Sequence, residues 1–378
     1  MLSLKFVLAP DSFKESLTAI DAAMAMEKGT RKVFPEAECM IVPMADGGEG
    51  TVESLVCAKK GEIKETQVIG PLGEKITAKY GLINNGKTAV IEMAKASGLE
   101  LINPEDRNPL QTTTFGTGQL IKHALDNGAH HFLIGIGGSA TNDGGAGMLQ
   151  ALGVSFKDKD GKELPFGGGM LDKLYAIDLD GLDKRIKNAV FEVACDVTNP
   201  LIGENGASVI FGPQKGATPE MVKVLDDNLK HFADVVKKQL NKDIAHLEGA
   251  GAAGGLGAGL IGFLNATLKK GVDMVIEYTE LEEKIKDADF VFTGEGSIDG
   301  QTLFGKTPYG VASIAKKYNV PVFGFAGKVG QGIEPLYENG FCAIICILRE
   351  VTSLKTALQE GKINLAFAVE NVCRIIKG

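Results

Sequence analysis

KFVLAPDSFKESLTAIDAAMAMEKGTRKVFPEAECMIVP, Lys5 to Pro43, is the stretch that decides the fold class. Lys5 to Ala9 is a short apolar run of strand character. Ser16 to Lys32 places its apolar residues at helical spacing, and Cys39 to Pro43 is a second strand-like run. A further helical pattern, Thr51 to Lys60, makes the order βαβα. Strands that alternate with helices in this way pair in parallel, because each crossover helix packs back onto the sheet.

The C-terminal part repeats the alternation. It reads as a strand over Asp289 to Thr293, a helix over Pro308 to Tyr318, strands over Val320 to Ala326 and Phe341 to Leu348, and a closing helix over Asn364 to Lys377. Between these ends the texture changes. Asn84-Asn85-Gly86 lies between alternating runs and predicts a hairpin over Lys75 to Met93, and long connections such as Phe156 to Asp180 follow. The expected architecture is therefore α/β with two domains. Residues 1–66 plus 282–378 form a parallel Rossmann- or flavodoxin-like sheet, and a mixed α/β domain, 67–281, is inserted into it.

Three apolar runs end in glycine-rich loops that carry carboxylates: VPMADGGEGT (Val42 to Thr51), IGIGGSATNDGGAG (Ile134 to Gly147) and FVFTGEGSIDGQTLFGKTPYG (Phe290 to Gly310). Glycine lets backbone N–H groups approach and point at an anion, while carboxylates hold a divalent cation. Together the loops describe a site for phosphate plus magnesium.

Composition excludes several alternatives. The chain has 378 residues, 44% hydrophobic and 23% charged, with a net charge of −8. That length suits two domains, which usually enclose a cleft. The acidic balance argues against nucleic acid or an anionic membrane as partner, since either calls for a clustered basic surface. No run of 18 apolar residues occurs, and Asp11 and Lys14 follow the first apolar run too closely for a signal peptide, so a cytoplasmic location is expected. The six cysteines lack metal-ligand spacing. Cys39, Cys57, Cys342 and Cys346 are expected to be buried and reduced, while Cys195 beside Asp196 falls in a loop-like segment. A homodimer is compatible with the sequence, which does not fix the oligomeric state.

Two motif matches point elsewhere and lack their context. GQTLFGKT, Gly300 to Thr307, fits the P-loop pattern, but a P-loop follows its strand directly, and here Gly294 to Asp299 intervene. Pro308 also starts the next helix one step late. Anion binding at that helix N-terminus is still compatible with the sequence. GAGAAG, Gly249 to Gly254, fits the dinucleotide pattern, yet polar residues Asn241 to Glu248 precede it and no strand feeds the turn. Its simplest reading is a small-residue helix start on which another backbone packs.

All five histidines, His123, His130, His131, His231 and His246, lie outside the glycine-acid loops. A carboxylate is therefore the expected proton acceptor. Phosphoryl transfer suits such loops, because it requires orientation, a metal and cations more than covalent chemistry.

The segments LAPDSFKESLTA, VPMADGGEGTVE, RNPLQTTTFGTG, GIGGSATNDGGAGMLQALG, CDVTNPLIGENGA, FGPQKGA, GAGAAGGLGAG and TGEGSIDGQTLFGKTPYGVA occur in this order from about Leu4 onwards. In them the chain resembles the bacterial glycerate kinase family of the first type. The resemblance implies ATP-dependent phosphorylation of D-glycerate, most often at the 2-hydroxyl, on a two-domain α/β fold unrelated to P-loop kinases. Phosphorylation at the 3-hydroxyl is the alternative for the same substrate. A nicotinamide-dependent hydroxyacid oxidoreductase and a non-catalytic ligand-sensing module are the readings from other classes.

Site roles follow from chemistry. Lys14, after the first strand, could neutralise a phosphate or the glycerate carboxylate, with Asp11 and Ser12 beside it at the strand edge where open parallel sheets bind ligands. A helix cap is the plainer role for Ser12. Asp46, Glu49, Glu295 and Asp299 are expected to coordinate Mg2+ or accept the substrate proton, with Asp46 and Glu49 the favoured catalytic pair and Asp46 and Glu295 the metal ligands. Caps or loop hydrogen bonds are the alternative for each. Arg107 suits a bidentate clamp on the glycerate carboxylate, the alternative being a surface ion pair. Asn142, Asp143, Asp196 and Asn199 are further substrate-binding candidates, although Asn142, Asp143 and Asn199 could equally form turns. Gly137, Gly138, Ser139, Gly294, Gly296 and Lys306 are the expected nucleotide-binding residues.

Overall fold

The helix that follows the first strand begins at Ala19 rather than Ser16. Thr18 caps it by accepting a hydrogen bond from the Asp21 N–H, and the preceding residues Lys14 to Ser16 form a turn closed by hydrogen bonds between Phe13 and Leu17. Ser12 therefore does not cap this helix. It stays in the loop at the end of the strand, where its N–H donates to Asp11 Oδ1 at 2.6 Å.

The computed structural model describes residues 3–378 and divides the chain into two compact units. The first comprises residues up to Asp46, Glu53–Lys60 and Val272–Gly378. Its sheet is wholly parallel, with spatial order Phe341–Cys346, Val322–Val329, Phe290–Ile298, Lys5–Leu8 and Glu38–Ile41. Phe6, Leu8, Phe292 and Phe325 pack with Ala22 and Met26 of the helix Ala19–Val33 and with Leu365 and Val369 of the closing helix Gly361–Lys377. These two helices approach so closely that a Cβ at Gly29 would lie 2.4 Å from the Ala366 carbonyl oxygen.

The second unit comprises Gly47–Val52 and Gly61–Gly271. Its six strands run Thr267–Lys269, Val190–Ala194, His131–Gly135, Thr88–Glu92, Lys75–Ile83 and Glu62–Ile69 in space. The first four are parallel and the last two join antiparallel, so the sheet is mixed. The predicted hairpin is present, and Asn84, Asn85 and Gly86 all adopt positive φ at its turn. Phe132 stacks on Phe191 at 4.8 Å in the core of this unit. The connection Phe156 to Asp180 is folded, with a small antiparallel ribbon of Ser155–Lys157 against Ala176–Asp178.

The unit boundaries differ from those expected. Thr66 lies inside the strand Glu62–Ile69, whose eight residues pair throughout with Lys75–Leu82, so it cannot be separated from the second sheet. Val272 to Leu281 cluster with the first unit instead.

The cysteine expectation needs correction. All six are free thiols, but Cys57, Cys342 and Cys346 are exposed and Cys39 is half-buried. Phe341–Cys346 is an edge strand with one open side, and Cys57 lies on the open face of the helix Thr51–Lys59. An apolar run alone does not distinguish an edge strand from a central one.

Candidate functional site

In the first unit the strand ends gather a group of charged side chains around Asp11. Its N–H bonds the Gly294 carbonyl at 2.8 Å, which fixes the loop after Lys5–Leu8 to the neighbouring strand. Asp11 Oδ2 accepts from Thr307 Oγ1 at 2.5 Å, in the first turn of the helix Thr307–Lys317. Burial pushes the Asp11 carboxyl up to about 6. The Thr307 and Ser12 hydrogen bonds and Lys14 pull it down, while the nearby Asp46 charge raises it.

Glu295, on the strand Phe290–Ile298, belongs to the same group. Burial pushes its carboxyl up to about 7, Asp11 adds to the rise, and Lys306 opposes it. Lys306 Nζ lies 3.6 Å from Glu295 Oε1, and Thr302 Oγ1 lies 3.4 Å from the same oxygen. Lys14 and Asp46 are exposed. Thus Asp11, Lys14, Asp46, Glu295 and Lys306 act on one another, and two carboxylates there ionise near neutral pH because they are buried beside like charge.

Gly296 adjoins the Phe13–Lys14 backbone, since a Cβ there would lie 3.6 Å from the Lys14 nitrogen. Gly294 bonds Asp11 as described, so both glycines expected at the nucleotide adjoin the charged group. Asp299 reaches it through Thr302, whose Oγ1 also lies against Glu295. It caps the short 3-10 turn Gly300–Phe304, accepting from Gln301 N–H at 2.9 Å while its own N–H donates to Thr302 Oγ1. Glu49 is exposed and falls in the second unit, whereas Asp46 falls in the first.

The spacing between the strand and GQTLFGKT is shorter than expected. The strand runs on to Ile298, so only Asp299 stands between it and GQTLFGKT, not six residues. The motif nevertheless forms no phosphate-wrapping loop, because Gly300 to Phe304 are folded into the 3-10 turn and the Lys306 N–H is taken by the Thr302 carbonyl. Lys306 is the N-cap of the next helix.

In the second unit, the loop after His131–Gly135 is tied from several sides. Asp143 is fully buried, and its carboxylate accepts from the Thr114 N–H and hydroxyl, both at 2.9 Å, and from the N–H groups of Gly145 and Gly147. Its oxygens hold this loop to the start of the helix Phe115–Asp126, which is the structural alternative for this residue. Asn142 donates to Ser208 Oγ at 2.9 Å, while its buried Oδ1 has no hydrogen-bond partner among the described residues. Arg107 makes no ion pair among the described residues, and its buried Nε has no acceptor. The surface ion-pair alternative is thus not what the geometry displays. Asp196 accepts from the Gly271 N–H at 3.0 Å, and Asn199 donates to the Asn205 carbonyl at 2.9 Å, a loop-forming bond.

GAGAAG is a backbone-packing element. Ala253, Gly254 and Gly255 have positive φ at the start of the helix ending at Leu264, and a Cβ at Gly254 would lie 1.9 Å from the Thr141 carbonyl oxygen. The Gly144 N–H bonds the Gly254 carbonyl at 3.0 Å. Among the described residues no strand feeds this turn.

Sequence reasoning missed Thr307 and Lys215. Thr307 carried a signal in the GKT of the P-loop match, which was set aside with the P-loop itself. Lys215 lies between glycines in FGPQKGA without periodic neighbours to mark it as buried.

The sequence profile of the glycerate kinase family matches residues 6–377. The chain belongs to the glycerate kinase family. It is accordingly an enzyme, a kinase. It is 54% identical to a glycerate kinase of Halalkalibacterium halodurans, covering 97% of this chain and 96% of that one. It is 53% identical to glycerate 2-kinase of Escherichia coli, covering 98% and 97%. The crystal structure of a protein from Salmonella typhimurium provisionally named glycerate kinase 2 superposes with a TM-score of 0.91 at 49% identity, covering 99% of this chain and 98% of that one. That family member carries the same α/β architecture of a parallel sheet and a mixed sheet. No helix among the described residues is long and apolar enough to cross a membrane.

Proposed function

We propose that this glycerate kinase transfers the γ-phosphoryl group of ATP to the 2-hydroxyl of D-glycerate. The observation that carries the reading is the group around Asp11: two carboxylates that titrate near neutrality, with the cations Lys14 and Lys306 acting on them. The names of the relatives, one of them a glycerate 2-kinase, support the substrate and the position.

Asp11 is the proton acceptor in this reading. A base ionising at about 6 is charged at neutral pH yet still basic enough to take a hydroxyl proton as the bond to phosphorus forms. The Thr307 hydroxyl holds the Asp11 carboxylate in place. Lys14 and Lys306 balance the charge of the moving phosphoryl group.

The carboxylates also suit Mg2+. Among the described residues no three His, Cys, Asp or Glu side chains form a metal cage, but magnesium carried by nucleotide phosphates takes only one or two protein carboxylates. Asp46 and Glu295 are the residues that would hold it, and like-charge repulsion at Asp11 is what a cation there would relieve. When bound, the ion neutralises phosphate charge. The reading is tested by product analysis with D-glycerate as sole acceptor. Formation of ADP in step with glycerate consumption, dependent on magnesium, supports it; NADH formation from added NAD would replace it with the oxidoreductase, and binding without turnover with the sensing module.

A further inference from the structure

Lys215 is the only lysine or arginine among the described residues that is fully buried, at 1% exposure. The sequence FGPQKGA places it there: Pro213–Lys215 is a single 3-10 turn ended by Gly216 at φ +90°. Its Nζ donates to Ser139 Oγ at 2.7 Å and to the Thr141 carbonyl at 2.6 Å. No carboxylate among the described residues receives a hydrogen bond from it. Asp143 offers only a through-space attraction, because its oxygens are engaged with Thr114, Gly145 and Gly147. A buried ammonium without an ion-pair partner is costly and calls for a compensating anion.

The turn that Lys215 touches has donors to offer. An ammonium has no lone pair, so Ser139 Oγ accepts from it, and the serine hydroxyl hydrogen must point elsewhere. It meets no acceptor among the described residues. The backbone N–H groups of Gly137 and Gly138 likewise donate to nothing among the described residues, and both glycines are exposed. Gly138 sits at φ +71°, the left-handed conformation that turns successive N–H groups toward one point. The other side of the turn is fixed by bonds from Leu99 N–H to the Gly138 carbonyl and from Ala140 N–H to the Ser97 carbonyl, both 2.9 Å. The pinned turn thus presents two exposed N–H donors and one hydroxyl, with a buried cation behind them.

We propose that the Gly137–Ser139 turn seats a phosphate oxyanion of the nucleotide, and that Lys215 is its positioning residue, acting through the Ser139 hydroxyl. The proposal rests on the kinase reading and extends it to a residue given no role in it. Burial also pulls Lys215 down to about 7, with Asp143 opposing. The charged group that acts on it is Asp143, and the Arg107 backbone packs on the adjacent Gly216. An anion arriving at the turn favours the charged ammonium, so nucleotide binding should take up a proton.

The test is isothermal titration of the whole protein with MgADP at pH 8 in two buffers of different ionisation heat, on wild type and Lys215→Met. The expected result is proton uptake in the wild type, none in the variant, and affinity at least about tenfold weaker, with KM for MgATP raised in proportion and KM for D-glycerate within about twofold. Unchanged MgADP affinity, a change confined to the D-glycerate KM, or wild-type binding without proton uptake would each overturn the proposal. A purely structural role would not move the proton count. Should Lys215→Met fail to fold, Ser139→Ala removes the relaying hydroxyl and must weaken MgADP by a similar factor, or the proposal fails. A wild type that binds MgADP with proton uptake but forms no ADP from MgATP in the presence of D-glycerate would defeat the kinase reading while leaving the seat intact.

Discussion

Asp11 and Thr307 are 296 residues apart in sequence, yet Thr307 Oγ1 donates to Asp11 Oδ2 at 2.5 Å, joining the end of the first strand to the first turn of a C-terminal helix. This bond favours the charged carboxylate that burial disfavours. Thr307→Val removes the donor while keeping the shape. The acid limb of kcat/KM, set near 6 by Asp11, should then move to higher pH, with activity at pH 6 falling about tenfold and activity at pH 8 changing far less. A pH profile of the variant checks this. An unmoved limb would separate Asp11 from the proton transfer.

Lys306 opposes the upward shift of Glu295 from 3.6 Å away. In Lys306→Ala the Glu295 carboxyl should rise further and activity should fall partially, with the loss greatest below neutral pH. A near-complete loss at every pH would restore a P-loop role to this lysine, whose counterpart in such loops reaches the β- and γ-phosphates.

Lys14 is exposed and next to Asp11 in effect rather than by ion pairing. Lys14→Ala should reduce transition-state stabilisation by about 2–4 kcal/mol, the scale of one charge-stabilising contact, without lowering the melting temperature. Steady-state kinetics for both substrates, with a thermal melt, decide it. Wild-type kcat and KM would leave Lys14 as a solvated turn residue.

The raised carboxyls also fix how stability varies with pH. Asp11 and Glu295 bind protons more tightly folded than unfolded, so their contribution to stability is complete below about 4 and is lost as pH rises through about 6 to 7. Denaturant unfolding at pH 5 and pH 8 should show wild type losing more stability over that interval than Asp11→Asn/Glu295→Gln. Equal losses would contradict the burial of these two groups.

The parallel sheet, the hairpin at Asn84-Asn85-Gly86 and the glycine-acid loops were legible because strand period, helix spacing and turn chemistry are local properties. What lay beyond local reading was pairing across the chain. Nothing near Asp143 in sequence announces the Thr114 hydroxyl that holds it, and nothing in FGPQKGA announces that Lys215 lies beneath Ser139. The strand Phe290–Ile298 outran its apolar segment because its polar end, Glu295 to Ser297, is paired to Val322–Val329, which a hydrophobic run cannot reveal. The cysteine burial failed for the related reason that edge and central strands read alike.

The central claim is phosphoryl transfer from ATP to the 2-hydroxyl of D-glycerate, and phosphorus NMR of the reaction of the purified protein with D-glycerate and MgATP tests it most directly. The account predicts that the γ-phosphate signal is replaced by those of ADP and a phosphate monoester coupled to the single C2 proton of 2-phosphoglycerate. A monoester coupled to the two C3 protons would contradict the assigned position, and an unchanged ATP spectrum would contradict the transfer itself.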